Sequence, residues 1–313
     1  MDRVARIEHE QLQMELPLFF PSISSVKTNF SPLDYLKLLK ASKYPNFLIS
    51  AYDIYNQNKN NKSEMIGLLN DMKKEGRIIL LDSGNYESYW HKDRYWNIDR
   101  YNEILEHEFC SFCLSFDYQI IDKGSKDDLI KIITDNTCAN QAVTGGVVAP
   151  IIHAKLDDLE YVCCNVTSLI NPPFIAIPER LLGGGIINRV LKLRQIRKAL
   201  DELGYYTPIH LLGTGNPFSL LLFAYAGADT FDGLEWCQTC IDITTFQVYH
   251  FQLRELFKNE VAGIQDYDIA TLLNNLQAYK EINRQISDSF KNHEVKQLLE
   301  KYFSVDVINR IQL

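Results

Sequence analysis

PIHLLGTGNPFSLLLFAYAGADTFDGLEW, residues 208–236, contains two short apolar runs separated by one helix-length segment with its own start and stop signals. The first run, PIHLLGTG (208–215), leads into Asn216 and Pro217. Asparagine caps helices by accepting from the exposed N–H groups of the first turn, and proline fits the first helical position, where no N–H is needed. Ten residues later Gly227 offers the left-handed conformation that ends helices, and ADTFDGLEW (228–236) resumes the strand pattern. The unit is strand, helix, strand.

Working outward, the same alternation extends back to about residue 19. Apolar, β-branched runs stand at 19–26 (FFPSISSV), 46–54 (NFLISAYDI), 77–84 (RIILLDSG), 112–118 (FCLSFDY), 146–153 (GVVAPIIH) and 174–179 (FIAIPE), which with the two above makes eight. Amphipathic segments lie between them at 31–42, 63–76, 98–108, 126–137, 157–170 and 187–204, with Ser31 and Ser63 as candidate N-caps and Gly76 and Gly204 as candidate stops. Nearly continuous hydrophobic strands joined by helical crossovers make a parallel sheet covered by helices. Eight such units are the number that closes into a (β/α)8 barrel, with an open doubly wound sheet as the alternative. The expected architecture is α/β, a TIM-like barrel over residues 1–240, followed by a helical extension over 241–313 packed on it. In that extension TTFQVYHFQLRELFKN (244–259) and YDIATLLNNLQAYKEINRQI (267–286) read as helices without strands.

Length and composition agree with this. The chain has 313 residues, 46% hydrophobic and 23% charged, which excludes disordered and collagen-like classes. With 32 basic and 40 acidic residues the net charge is −8, so the surface as a whole is not a polycation that coats nucleic acid indiscriminately. The first twenty residues, MDRVARIEHEQLQMELPLFF, scatter charges where a secretory signal has an apolar core. SLLLFAYAGA (219–228), the longest strongly apolar stretch, is half of what a bilayer requires. The expectation is a soluble cytoplasmic protein without membrane contact. Seven cysteines, an odd number, fit reduced thiols better than a disulfide framework. Cys110-x-x-Cys113 and Cys237-x-x-Cys240 resemble two halves of a zinc site, but each overlaps or adjoins a strand-like run, and buried free thiols are favoured over metal. No cofactor is expected.

In such a barrel the reactive groups collect at the C-terminal ends of the strands. Four runs end in carboxylates: Asp82 after RIILL, Asp117 after LSF, Glu179 after FIAIP and Asp232 after ADTF. Any one alone is equally well a loop brace. Together they favour a site. Paired carboxylates at a barrel mouth suit chemistry at a sugar carbon, one attacking or stabilising the anomeric centre and the other handling the leaving group's proton. GTGNP (213–217) opens a helix and fits either an anion site or a tight turn.

Residues 210–236 resemble the region of tRNA-guanine transglycosylases that reads roughly HLMGVGTPEDLLEAVARGIDMFDCV. ILLDSGNYES (79–88) resembles the family's DSG turn and LSFDYQ (114–119) its SFD segment, in the family's order, with weaker echoes in GVVAPI (146–151) and FIAIPER (174–180). The resemblance spans about residues 19–236. It implies exchange of a guanine in a nucleic acid, DNA slightly ahead of tRNA, for a 7-deazaguanine base such as preQ0 or preQ1. Within it, Asp232 is the nucleophile that forms a covalent glycosyl-enzyme and Asp82 the general acid/base. Asp117 accepts from the base's N1–H and 2-amino group, and Tyr86 stacks on the base. Ser83 and Gly84 of the same turn, Glu179, and Gly213 and Gly215 of the GTGNP turn complete the implied substrate contacts.

The chemistry is coherent without the family. Two adjacent donors on a guanine edge call for an acceptor-only group. Stacking is blind to base identity, and the target base must leave its stack to be reached. Departures from the family also stand out. No cysteine follows Cys240, so the family's zinc site has no counterpart, and Asn85 replaces the second glycine of its DSGG turn. The pocket glutamine falls near Ala149 or Pro150, and Glu235, Trp236 and Cys237 follow the nucleophile's segment in place of proline, threonine and arginine. This pattern resembles the DNA-modifying branch. Basic residues Arg180, Arg189, Lys192, Arg194, Arg197, Lys198 and Arg254 fit phosphate contacts or solvated helix faces. A non-catalytic relative that binds a deazapurine or a partner, and a barrel N-glycosidase acting on nucleosides, are the competing classes. Monomer and homodimer both stay open.

Overall fold

Asn216 accepts from the N–H groups of Phe218 and Ser219, and Gly227, at φ 110°, ends the helix Pro217–Ala226. The strands on either side of it, Ile209–Leu212 and Thr230–Gly233, lie side by side in parallel. In the computed structural model, which describes residues 6–9, 12–117, 125–144, 146–256 and 264–311, this arrangement repeats around a full circle. We label the barrel strands β1 (Leu18–Ile23), β2 (Asn46–Ser50), β3 (Ile78–Asp82), β4 (Phe112–Leu114), β5 (Val148–Ala149), β6 (Ile175–Pro178), β7 (Ile209–Leu212) and β8 (Thr230–Gly233).

All eight pair in parallel, in the order β5-β4-β3-β2-β1-β8-β7-β6. The last seam, between β5 and β6, is closed by a parallel bridge from Ile151 to Ala176, with the Ala176 N–H donating to Pro150 O at 2.9 Å and the Ile152 N–H to Ala176 O at 2.8 Å. The fold is a (β/α)8 barrel.

Each strand divides its side chains by parity. Phe20, Leu48, Leu80, Phe112, Leu114, Ala149, Phe174 and Ala176 fill the lumen, while Phe19, Ile49, Ile79, Leu81, Ile175, Ile177 and Phe231 pack outward under the helices. The chain entering β1 contributes Met14 and Leu16 to the lumen cluster. Parity has a consequence for chemistry. Asp82 follows Leu80 by two and Asp232 follows Thr230 by two, so both carboxylates belong to the lumen-facing set at the strand ends.

Several expected boundaries move. Residues 51–54, read as the end of a strand, begin the helix Ala51–Tyr55. The helix expected from Ser63 starts at Lys59, because Asn58 accepts from the N–H groups of Asn60 and Asn61. Asn85–Trp90 forms a helix that the periodicity does not show. The Tyr118 end of the fourth strand candidate, the first five residues, and 257–259 of the first expected tail helix lie outside the described residues.

The tail is not helical throughout. Thr239–Ile241 and Val248–His250 pair as an antiparallel hairpin, followed by a 3-10 turn at Phe251–Leu256. Asp242 decides this: its carboxylate accepts from the Thr244 N–H and the Thr245 hydroxyl, and its N–H donates to Gln247 O, which builds a turn where a helix was expected. The long helix Tyr267–Lys291 then packs against β1 and the helix Pro217–Ala226. Its Tyr279 ring stacks on Phe19 with centroids 3.8 Å apart and donates to Gly215 O at 2.5 Å. Asn275 donates to Trp236 O and Thr239 O and accepts from the Ile241 N–H. The extension therefore braces the loops that follow β7 and β8.

Candidate active site

A cavity of about 370 Å³ opens at the C-terminal end of the barrel, within the roughly 300–1,000 Å³ usual for small-molecule sites. Asp82, Asp117 and Asp232 all line it, together with Ser83, Tyr86 and Gly213. The separate strand ends that carry these residues meet only through barrel closure.

Asp232 is 7% exposed, takes two hydrogen bonds and has one imidazole beside it. Ser22 of β1 donates to Oδ2 at 2.8 Å, the Gly213 N–H donates to Oδ1 at 2.9 Å, and His210 Nε2 lies 3.3 Å from the same oxygen. His210, fully buried in the lumen, places its Nδ1 2.9 Å from Thr230 Oγ1. The Ser22 hydroxyl and the Gly213 N–H, both fixed, orient the carboxylate.

Asp82, the last residue of β3, accepts the Gly84 N–H at 3.0 Å. Burial, and then the charges of Glu87 and Asp117, hold its carboxyl well above the usual range, so it keeps a proton where an ordinary aspartate would not. Asp117 goes the other way. Burial alone would raise it, but the His153 contact and hydrogen bonds from Asn85 and Ser83 outweigh burial and hold it below the usual value. The contacts are Ser83 Oγ to Oδ1 at 2.7 Å, Asn85 Nδ2 to Oδ1 at 2.7 Å and His153 Nε2 to Oδ2 at 2.8 Å. One aspartate is poised as an acid and its neighbour as an acceptor.

Four groups, three carboxyls and one imidazole, were not anticipated. Glu87 accepts from Ser24 at 2.5 Å and Ser50 at 2.8 Å, and burial together with the Asp53 charge pushes it up to about 7. Asp53 accepts the Ser25 N–H at 2.7 Å and is pushed by burial up to about 6. Glu235 lines the cavity, packed on Gly215 and Gly233, and burial raises it to about 7, with the charges of Asp232 and Glu179 adding. His153, fourth of the unforeseen groups, was within reach of sequence reasoning: it ends GVVAPIIH, and the strand-end rule that selects carboxylates selects it too. Glu87 and Asp53 sit inside short helices with no such signal.

The other expected contacts are placed as follows. Tyr86 lines the cavity and is 38% exposed. Glu179 does not line it: Arg189 donates to one of its oxygens at 2.7 Å and Thr214 to the other at 3.0 Å. Gly84 and Gly215 stand behind the wall, Gly84 at φ 81° against Tyr52 and Gly215 beneath Glu235. Of the basic residues considered for phosphates, Arg180 lines the cavity, whereas Arg189 pairs with Glu179, Arg194 donates to Ile311 O, and Arg197 is engaged with Asp201 and Thr207 O. Lys27 joins Arg180 on the wall. Among the described residues no group of three or more histidines, cysteines or carboxylates is arranged to hold a metal. No described helix is long and apolar enough to cross a membrane.

Compared with models of known protein families and with curated proteins, the chain matches none.

Proposed function

We propose that the protein is a base-exchange transglycosylase that replaces guanine in a nucleic acid, DNA ahead of tRNA, with a 7-deazaguanine base such as preQ0 or preQ1. The observation that carries this reading is the pair Asp82 and Asp232, delivered by β3 and β8 to one cavity, the first raised by burial and the second accepting from Ser22 and the Gly213 N–H.

The Asp232 carboxylate attacks C1′ of the target nucleoside. As the new O–C1′ bond forms, the C1′–N9 bond breaks and Asp82 delivers its proton to the departing guanine. The incoming base then loses its N9 proton to Asp82 and attacks C1′, which releases Asp232 and restores both carboxyls. Asp117, kept ionised, accepts from the N1–H and 2-amino donors of the base, an edge that adenine lacks. Tyr86 offers a face for stacking. The segments ILLDSGNYES, LSFDYQ and HLLGTGNPFSLLLFAYAGADTFDGLEW support the same reading by their resemblance to guanine transglycosylases.

The test is incubation with labelled guanine and, separately, DNA and bulk tRNA. Label should enter one polymer and be lost in Asp232→Asn, along with the covalent adduct. Release of free base leaving an abasic site would mean an N-glycosidase. Binding without label transfer would mean a non-catalytic relative.

A further inference from the structure

The wall of the cavity continues outward onto an aromatic surface. Tyr86 lines the cavity; one helical turn on, the Trp90 ring lies edge-on to it with centroids 6.3 Å apart, and Tyr89 meets Trp90 at 5.7 Å. Trp90 is 46% and Tyr89 71% exposed, on a helix of six residues whose one buried side chain is Glu87. Soluble proteins do leave single apolar side chains exposed, but three contiguous rings leading out of a polar cavity call for a partner. Lys27, itself a cavity-lining residue, sets its ammonium 3.9 Å from the Trp90 ring centroid. Among the described residues Lys27, Lys92 and Arg94 have no carboxylate partner, and all three are exposed. In a chain of net charge −8, a cationic aromatic strip beside an acidic cavity is a local inversion.

Exposed rings with one ammonium seated among them, and two further exposed cations on the chain just after, suit one class of partner. Successive unstacked bases lie on aromatic faces while ammonium and guanidinium groups meet the phosphates between them, and each base stack contributes roughly 1–3 kcal/mol. A duplex presents its bases only as edges and cannot use such faces. We propose that Tyr86, Trp90 and Tyr89, with Lys27 seated on the shelf, form a track for an unpaired polynucleotide strand, so that the substrate enters as a single strand or loop with the nucleotides flanking the target stacked along the shelf. This inference rests on the base-exchange reading for what happens inside the cavity, but the shelf can be tested without it.

The probe is a fluorescein-labelled dT12 oligonucleotide, which contains no guanine, with the dA12·dT12 duplex as comparison, read by anisotropy on the full chain. Wild-type protein should bind dT12 at least tenfold more tightly than the duplex, and more weakly as salt rises. Tyr89→Ala/Trp90→Ala, both at exposed positions, should lose at least tenfold in dT12 affinity with an unchanged circular dichroism spectrum. Lys27→Ala should reduce the salt dependence. No binding of dT12, equal binding of the duplex, or unchanged affinity in the double variant would overturn the proposal. So would a wild-type homodimer that the double variant turns into a monomer, since the shelf would then be a subunit contact. Ring-dependent dT12 binding without any guanine exchange would leave the shelf standing and reject the exchange reading; exchange without ring-dependent binding would do the reverse.

Discussion

His153 Nε2 lies 2.8 Å from Asp117 Oδ2, joining the segment after β5 to the segment after β4 inside the cavity. The other Asp117 oxygen already accepts from Ser83 and Asn85, so the imidazole fixes the one oxygen the loop leaves free. His153 Nδ1 is buried with no hydrogen-bond partner.

Removing this contact should loosen base recognition without dismantling the barrel. His153→Ala takes away the strongest influence that lowers Asp117, and the carboxyl should rise toward its ordinary range. A hydrogen bond to a charged group is worth about 1.5–3 kcal/mol, so base affinity should fall about tenfold or more. The affinity-against-pH profile should move to higher pH. An unchanged profile would assign His153 a packing role only.

Asp117→Ala removes the acceptor itself. If it reads the guanine edge, the loss is of order 2–5 kcal/mol, because two base donors enter the site and find no partner. Discrimination between guanine and adenine, measured by competition, should largely disappear. Equal affinities before and after would exclude Asp117 as the reader.

Glu87 should make stability fall as pH rises. Its carboxyl holds a proton up to about pH 7 when folded, against 4.5 for an ordinary glutamate, so the native state binds more protons than the unfolded chain between those values. Stability therefore drops through that window and levels off above it. Asp53 and Glu235, each raised by its own burial, act with the same sign, while depressed Asp117 matters only below the normal carboxylate range. Glu87→Gln should lose about 1–3 kcal/mol less than wild type between about pH 5 and about pH 8, by urea midpoints at each pH.

Gly84→Ala should be costly. The residue sits at φ 81°, and a Cβ there would stand 2.5 Å from Tyr52 Cβ and 2.6 Å from its backbone nitrogen, both rigid. Left-handed strain together with a core clash should cost about 2–4 kcal/mol and displace the turn that carries Asp82 and Ser83. Thermal melting measures the first effect and loss of exchange the second. A variant as stable as wild type would mean the turn relaxes freely.

The periodic elements were legible because their signals are local. Asn216, Ser31, Gly76 and Gly227 mark helix ends through their own backbone and side-chain chemistry at the expected places, while the helix expected to stop at Gly204 ends at Asp201. Ser63 misleads because a stronger cap, Asn58, stands five residues earlier, and the hairpin after residue 238 depends on the Asp242 turn, which outweighs a helical pattern. The strand-end carboxylates could be picked out for the same reason: a charged residue closing an apolar run is visible in one dimension. Which of them share a cavity is not.

The amino-acid order alone determined the strand–helix alternation, the count of eight and the polar strand ends, since each depends on neighbours within one or two turns of chain. Tertiary structure alone decided that Asp82, Asp117, His153 and Asp232 converge, that Glu179 turns aside to Arg189, and that Glu87 and Glu235 join the same cavity wall. The physical reason is that protonation and hydrogen bonding depend on distance through space and on exclusion of water, and barrel closure sets both by joining β1 to β8, segments some 210 residues apart.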